Sequence, residues 1–300
     1  MNESLTIKHS KPLIIYHAGC PDGFCAAWVA NMYFRQIRGT DAELHPGRYE
    51  DPPPDVSGRD VLIVDFSYPR DILIEMYKMA NSLRVFDHHK TSQADLASLT
   101  WCVFDMNESG ATLTWRELFT DPPLAVVRYV RDRDLWKWEL PNSKEVSAYI
   151  MSLPHDIKVW DEIFNKITVE EMIKLGTACR QVVNHFIDMQ IKNAYKLNLF
   201  GIDWIAVNTP QSNVADVLGA LVAQHKLPAL GWSVFNDGVV GLSLRSADDL
   251  PMDVSVVAKS LGGGGHRNAA GCRWPKENID VLLPRKKQEE EGNEPVSRSE

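Results

Sequence analysis

The 300-residue chain, 44% hydrophobic and 24% charged, has an ordinary globular balance and the length of two domains. Its formal net charge of −8 excludes a protein that coats long nucleic acid through a general basic surface, and leaves room for a local basic pocket or a carboxylate-rich cation site. No apolar run approaches the ~20 residues of a membrane span, and the polar start MNESLTIKHSKP lacks a signal-peptide core. The five cysteines, Cys20, Cys25, Cys102, Cys179 and Cys272, contain no C-x-x-C pair, so a reducing cytoplasm is expected rather than a disulfide framework.

In chain order, residues 13–16 (LIIY), 61–66 (VLIVDF), 83–87 (LRVFD) and 101–104 (WCVF) are short apolar runs that read as strands. Helix-like stretches, GFCAAWVANMYFRQI and PRDILIEMYKMA, follow the first and second of them. Strands alternating with helices predict βαβ units and a mostly parallel sheet buried on both faces. The prolines of EDPPPDVSGRD make that segment a loop. A helical middle is expected from about residue 109 to 198: Ser109 is a plausible N-cap, and Thr168 with Glu171 forms a capping-box pattern opening a long helix that Gly176 weakens. From residue 200 the alternation resumes. A strand (IDWIAVN), a helix (NVADVLGALVAQHK), a hairpin around Asn236-Asp237-Gly238 and a further helix (DVSVVAKSLGG) predict a smaller α/β domain. The charged stretch 285–300 has the composition of a disordered tail.

Five clusters carry chemistry. His17 and Asp22 flank the turn after the first strand, the edge where open α/β sheets bind ligands, although Pro-Asp-Gly is also an ordinary capped turn. Asp65 ends a very apolar strand, where an unpaired carboxylate is costly unless it caps the next turn. Asp87, His88 and His89 end another strand, and such a donor set suits Mn²⁺ or a similar divalent ion. Asp132 and Asp134 alternate with arginines, which reads either as a solvated charged face or as a further carboxylate for the same site. In LGGGGHRNAAG the glycines Gly263, Gly264 and Gly265 allow backbone N–H groups to approach an anion, with His266 and Arg267 as donors; a flexible linker is the competing reading. Arg245 adds a guanidinium at a strand end or makes a surface ion pair.

In HAGCPDGFCAA, VLIVDFS, VFDHHKTS, YVRDRDLW and GGGGHRNAAG, occurring in that order, the chain resembles the DHH family of phosphoesterases, in the branch with the DHH-associated C-terminal domain. The resemblance implies a catalytic domain over 1–167, a helical linker over 168–199, a substrate-binding domain over 200–284 and an active site in the cleft between domains. It implies two Mn²⁺ ions, with Mg²⁺, Zn²⁺ or Fe²⁺ as substitutes. One would be held by Asp22, Asp65, His88 and Asp132 (Asp134 being the alternative), the other by His17 and the bridging Asp65. His89 would face the substrate phosphate and Asp87 would orient a histidine, while Arg245, Gly263, Gly264, Gly265, His266 and Arg267 would hold the substrate. Many members of the family carry an aspartate where this chain has Cys20, a softer ligand that puts the metal count and identity in question. The implied activity is metal-assisted hydrolysis of short oligonucleotides or linear dinucleotides to mononucleotides, as by an oligoribonuclease or exonuclease. The rival readings are a pyrophosphatase or polyphosphatase, which in this superfamily usually has a different C-terminal domain, and a non-catalytic nucleotide-binding module.

Overall fold

The computed structural model of the protein describes residues 11–49, 51–236 and 238–284, so the 285–300 stretch and Asp237 lie outside the described residues. The chain runs β1 (Leu13–His17), α1 (Pro21–Arg38), β2 (Glu43–Gly47), β3 (Asp60–Val64), α2 (Arg70–Met79), β4 (Ser82–Asp87), α3 (Lys90–Leu96) and β5 (Cys102–Phe104). These five strands form a wholly parallel sheet in the order β2-β1-β3-β4-β5. Strand alternation explains the burial of both faces. Ile14, Tyr16, Leu62, Val64 and Phe86 pack with Phe24, Trp28 and Leu113 on one side. Leu13, Ile15, Val61, Ile63 and Val85 pack with Leu73 and Met76 on the other.

β2 has no counterpart in the sequence reading. It is short, half-exposed and interrupted by Pro46, and it lies at the sheet edge, where a missing N–H is tolerated.

Helices α4 (Gly110–Leu118), α5 (Ala125–Asp134), α6 (Ser143–Ser152), α7 (Ile157–Phe164) and α8 (Val169–Ile191) follow. Ser109 caps α4 and shares a capping box with Thr112, and Thr168 does the same with Glu171 before α8. α8 runs unbroken through Gly176, because a Cβ there would collide with the backbone carbonyl of Glu145. The helical reading fails only at its end. Tyr195–Leu199 is a strand, as its alternation of exposed Lys196 and Asn198 with buried Leu197 and Leu199 requires.

The chain divides into two compact units between Phe186 and Ile187. The second contains β6 (Tyr195–Leu199), β7 (Ile202–Asn208), α9 (Val214–His225), β8 (Ala229–Val234), β9 (Val240–Arg245), α10 (Val254–Ser260), β10 (Gly264–His266) and β11 (Ala269–Trp274). Its six-stranded sheet, β10-β11-β9-β8-β7-β6, is antiparallel except between β7 and β8. Trp204, Leu230, Trp232, Leu242 and Leu244 form a separate core with Val254 and Ala258 of α10. Both units are therefore α/β, parallel in the first and mixed in the second.

Candidate metal centre

β1, β3 and β4 are neighbours in the parallel sheet, so their carboxyl ends lie side by side. His17 is the last residue of β1, Asp65 directly follows β3, and Asp87 ends β4 immediately before His88 and His89. The edge that the sequence pattern selects thus brings three motifs together. Asp22 joins them from the first turn of α1, where Gly23 lets the helix approach His17 so closely that a Cβ would strike its carbonyl.

Asp65 lies at the centre. Its Oδ1 is 3.0 Å from His88 Nε2 and its Oδ2 is 3.6 Å from His17 Nδ1. The carboxylate is 1% exposed, yet neither oxygen accepts a hydrogen bond. Its backbone is left-handed, at φ 55°, which costs a non-glycine residue about 1–3 kcal/mol. Gly110 makes room for it, since a Cβ at that position would strike the Asp65 side chain. A strained, buried carboxylate with two imidazole nitrogens beside it and no hydrogen bond does not cap the following turn and offers both oxygens to a cation.

The surrounding groups complete a donor set. His88 Nε2 is 3.5 Å from Asp134 Oδ2 and 3.9 Å from Asp22 Oδ2. One donor atom each from Asp22, Asp65 and His88 lie within 4.8 Å of one another, and so do donor atoms of His17, Asp65 and His89. Asp22 is held by the N-terminus of α4, its oxygens accepting from Gly110 N at 2.6 Å and Ala111 N at 3.1 Å. Burial, then repulsion from Asp65 and Asp134, pushes the Asp22 carboxyl well up. Burial also raises Asp134. At Asp65 burial acts in the same direction, but His17 and His88 outweigh it and hold the carboxyl well below its usual range. Burial likewise disfavours charge on His88, while Asp134, Asp65 and Asp22 overcome it and lift the imidazole well above 6.5. Three carboxylates crowd around one imidazole, an excess of negative charge that a divalent cation would neutralise.

Asp87 plays a different part. Its Oδ1 accepts from the backbone N–H of His88 at 2.8 Å and of His89 at 3.2 Å, and lies 2.6 Å from His89 Nδ1. Its Oδ2 accepts from Ser67 Oγ at 2.5 Å. Burial opposes the charge, but His89 and Ser67 hold the carboxyl at about 2. Asp87 therefore fixes the His89 ring through Nδ1. The sequence reading singles out neither Ser67 nor the N-terminus of α4 as part of the site. The only signals are a serine two residues after Asp65 and the cap pattern at Ser109.

No family model matches the chain. An uncharacterized protein of Acanthamoeba polyphaga mimivirus is 27% identical over 308 residues, spanning 94% of this chain and 71% of its own length. Among solved structures, the DHH domain of a protein assigned to a family of ribosomal proteins aligns over 91% of this chain and 85% of its own, with TM-score 0.60 and 13% identity. The pGpG-specific phosphodiesterase PggH of Vibrio cholerae aligns over 90% and 95%, with TM-score 0.52 and 12% identity. RecJ of Thermus thermophilus, solved with Mn²⁺, aligns over 91% of this chain and 51% of its own, with TM-score 0.53 and 14% identity. The chain has the fold of the DHH-family phosphoesterases.

Asp132 and Asp134, the two candidates at the end of α5, lie differently with respect to the cluster. Asp132 is turned away from the cluster. Its carboxylate accepts from Glu139 N at 2.9 Å and Leu140 N at 3.3 Å, and its carbonyl accepts from Lys137 N at 2.9 Å. It thus pins a loop in which Trp136, Trp138 and Asn142 are all left-handed. Asp134, the last residue of α5, is the carboxylate beside His88. Cys20, at the N-cap of α1, feels the same charges: burial, then Asp65, Asp134 and Asp22, pushes its thiol well up. It joins none of the three-residue donor sets among the described residues.

In the second unit the glycine motif is not an open loop. Gly264–His266 and Ala269–Trp274 pair as a hairpin, and the glycines serve close packing. A Cβ on Gly263 would strike the carbonyl of Gly271, and one on Gly265 would lie 2.6 Å from that of Ala269. Gly264 pairs with Gly271 in the ladder. Arg267 is committed to structure, donating from Nη1 to the Ala247 carbonyl at 3.3 Å and to Asn268 Oδ1 at 2.9 Å, and from Nη2 to the Leu250 carbonyl at 3.0 Å. His266, Ala269 and Arg245 stand in one row across β10, β11 and β9. Directly paired residues share a face, so His266 and Arg245 flank the small Ala269 on one face of the sheet.

The donors fit a hard or borderline divalent cation: carboxylates and imidazoles, with the buried Asp65 oxygens lacking any hydrogen bond. No helix among the described residues is long and apolar enough to cross a membrane, and all five cysteines are free thiols.

Proposed function

We propose that the protein is a metal-dependent phosphodiesterase that hydrolyses short oligonucleotides or linear dinucleotides to mononucleotides, in a reducing compartment. The observation that carries this reading is the Asp65 carboxylate, buried without a hydrogen bond between His17 and His88, in a fold shared with a pGpG-specific phosphodiesterase and with Mn²⁺-bound RecJ. Asp22, Asp65, His88 and Asp134 would hold one Mn²⁺, and His17 with Asp65 a second. Bound divalent cations supply charge neutralisation at the phosphoryl oxygens and acidify an attacking water. His89, held through Nδ1 by Asp87, would donate to a phosphoryl or leaving oxygen. Arg245 and His266, on one face of the second sheet, would bind the terminal phosphate; Arg267 would brace the β10–β11 hairpin that carries His266.

The test is release of mononucleotide from an RNA dinucleotide by metal-stripped protein resupplied with Mn²⁺, Mg²⁺ or Zn²⁺, with pyrophosphate as the parallel substrate. Turnover of the dinucleotide restored by Mn²⁺ and absent in Asp65→Ala is the expected result. Turnover of pyrophosphate alone would replace the proposal with the pyrophosphatase reading, and binding without hydrolysis would leave a nucleotide-binding module.

A further inference from the structure

α8 carries two apolar stripes. The inner one, Met172, Gly176, Val183 and Ile187, faces its own chain: Met172 and Ile187 are buried and Gly176 abuts Glu145. The other consists of Leu175, Val182 and Met189, which are 48%, 71% and 46% exposed, with the exposed Ala178 between the first two and the exposed His185 between the last two. Helical geometry places this second stripe about a third of a turn from the first and makes it about 21 Å long. Single exposed apolar residues are ordinary, but three at a strict seven-residue spacing form the seam of a helix that packs on another helix.

The charges beside the seam indicate what covers it. Lys174, Gln181 and Asp188 precede the three apolar residues by one position each, and all are exposed. Neither Lys174 nor Asp188 makes an ion pair among the described residues. Read along the helix, the row is basic, neutral, acidic. Laid antiparallel on a second α8 about Val182, each Lys174 faces an Asp188, Gln181 faces Gln181, and Leu175 faces Met189. A parallel pairing would carry the two rows to opposite sides of the seam and leave these charges without each other. The face is therefore complementary to itself under a two-fold axis.

We propose that a second copy of this chain covers this face through an antiparallel α8–α8 contact. A seam this short buries less than a standard interface, so the dimer has a dissociation constant on the order of micromolar. Sedimentation velocity on the full chain, from about 1 to about 200 µM, should show the mass doubling with concentration. Val182→Glu, which buries two carboxylates against each other, should weaken the dimer by about tenfold or more. Lys174→Asp and Asp188→Lys should each weaken it, and the two together should restore it. These positions are exposed, so the thermal melt of each variant should match wild type and show that the fold is intact. A wild-type chain that stays monomeric would leave the seam to a partner of different sequence and overturn the proposal. So would a dimer indifferent to Val182→Glu, or a double reversal no tighter than its parts.

Discussion

Asp132 and Asp134 show where residue-level reading stops. Both are aspartates at the end of one helix, two positions apart, and side chains so spaced point about 200° away from each other. Only one can face the cluster, and the sequence does not fix the rotation of α5 that selects it. The structure gives the two residues opposite energetics. Asp132→Ala would leave the Glu139 and Leu140 N–H groups without their acceptor, each costing about 1–3 kcal/mol if water does not replace it. Asp134→Ala removes a partly exposed carboxylate that repels the buried Asp22 and Asp65, so the metal-free protein should melt at the same temperature or higher. Mn²⁺ titration calorimetry should then show affinity falling about 10–100-fold in Asp134→Ala. Asp132→Ala should instead show the larger loss of thermal stability. The opposite ranking on either axis would return the ligand role to Asp132. Asp65, His88 and His17 are legible from the sequence because each ends an apolar strand. There the cost of burying an unpaired polar group singles them out without knowledge of any rotation.

At the level of elements, α4 does more for the site than its sequence suggests. SGATLTWREL reads as a capped amphipathic helix and nothing more. In the fold, its first two N–H groups hold Asp22, and Gly110 lies where a side chain would collide with Asp65. The helix start is thus one wall of the candidate centre, and Gly110 makes the room that the Asp65 side chain occupies. Gly110→Ala should cost about 1–3 kcal/mol through overpacking and also displace the Asp65 carboxylate. Mn²⁺ affinity should therefore fall far more than in Gly176→Ala, which overpacks α8 against α6 away from the cluster. Equal metal affinity in the two variants would remove α4 from the site. The glycine-rich motif of the second unit teaches the converse. Its composition draws attention to anion binding, whereas the pairing of β10 with β11 accounts for Gly263 and Gly265 by backbone packing alone. Composition alone does not distinguish a glycine needed by a ligand from one needed by a neighbouring strand.

At the level of the whole molecule, the two units differ in how openly the sequence declares them. The parallel sheet is readable because its inner strands are apolar on both faces, a pattern that only flanking helices on each side satisfy. Strand order is not readable, since β2 enters at the edge with half-exposed residues and a proline. The proposed ligands His17, Asp22, Asp65, His88 and Asp134 belong to the first unit, so the linkage between cation binding and stability should be local. A cation that binds only the folded centre adds about 2.7 kcal/mol at a hundred times its dissociation constant. The proposed ligands lie at the ends of β1, β3, β4 and α5 and in the first turn of α1, which the start of α4 holds. Hydrogen exchange with and without Mn²⁺ should therefore show added protection in residues 17–24, 64–68, 86–90, 109–113 and 131–136. Strands β7, β8 and β9 of the second unit should exchange at unchanged rates. Asp65→Ala should abolish the difference, because it removes the carboxylate that both donor sets share. Protection that spreads evenly over both units would mean that the cation acts on the whole chain rather than on this cluster. Protection confined to the second unit would place the cation site elsewhere.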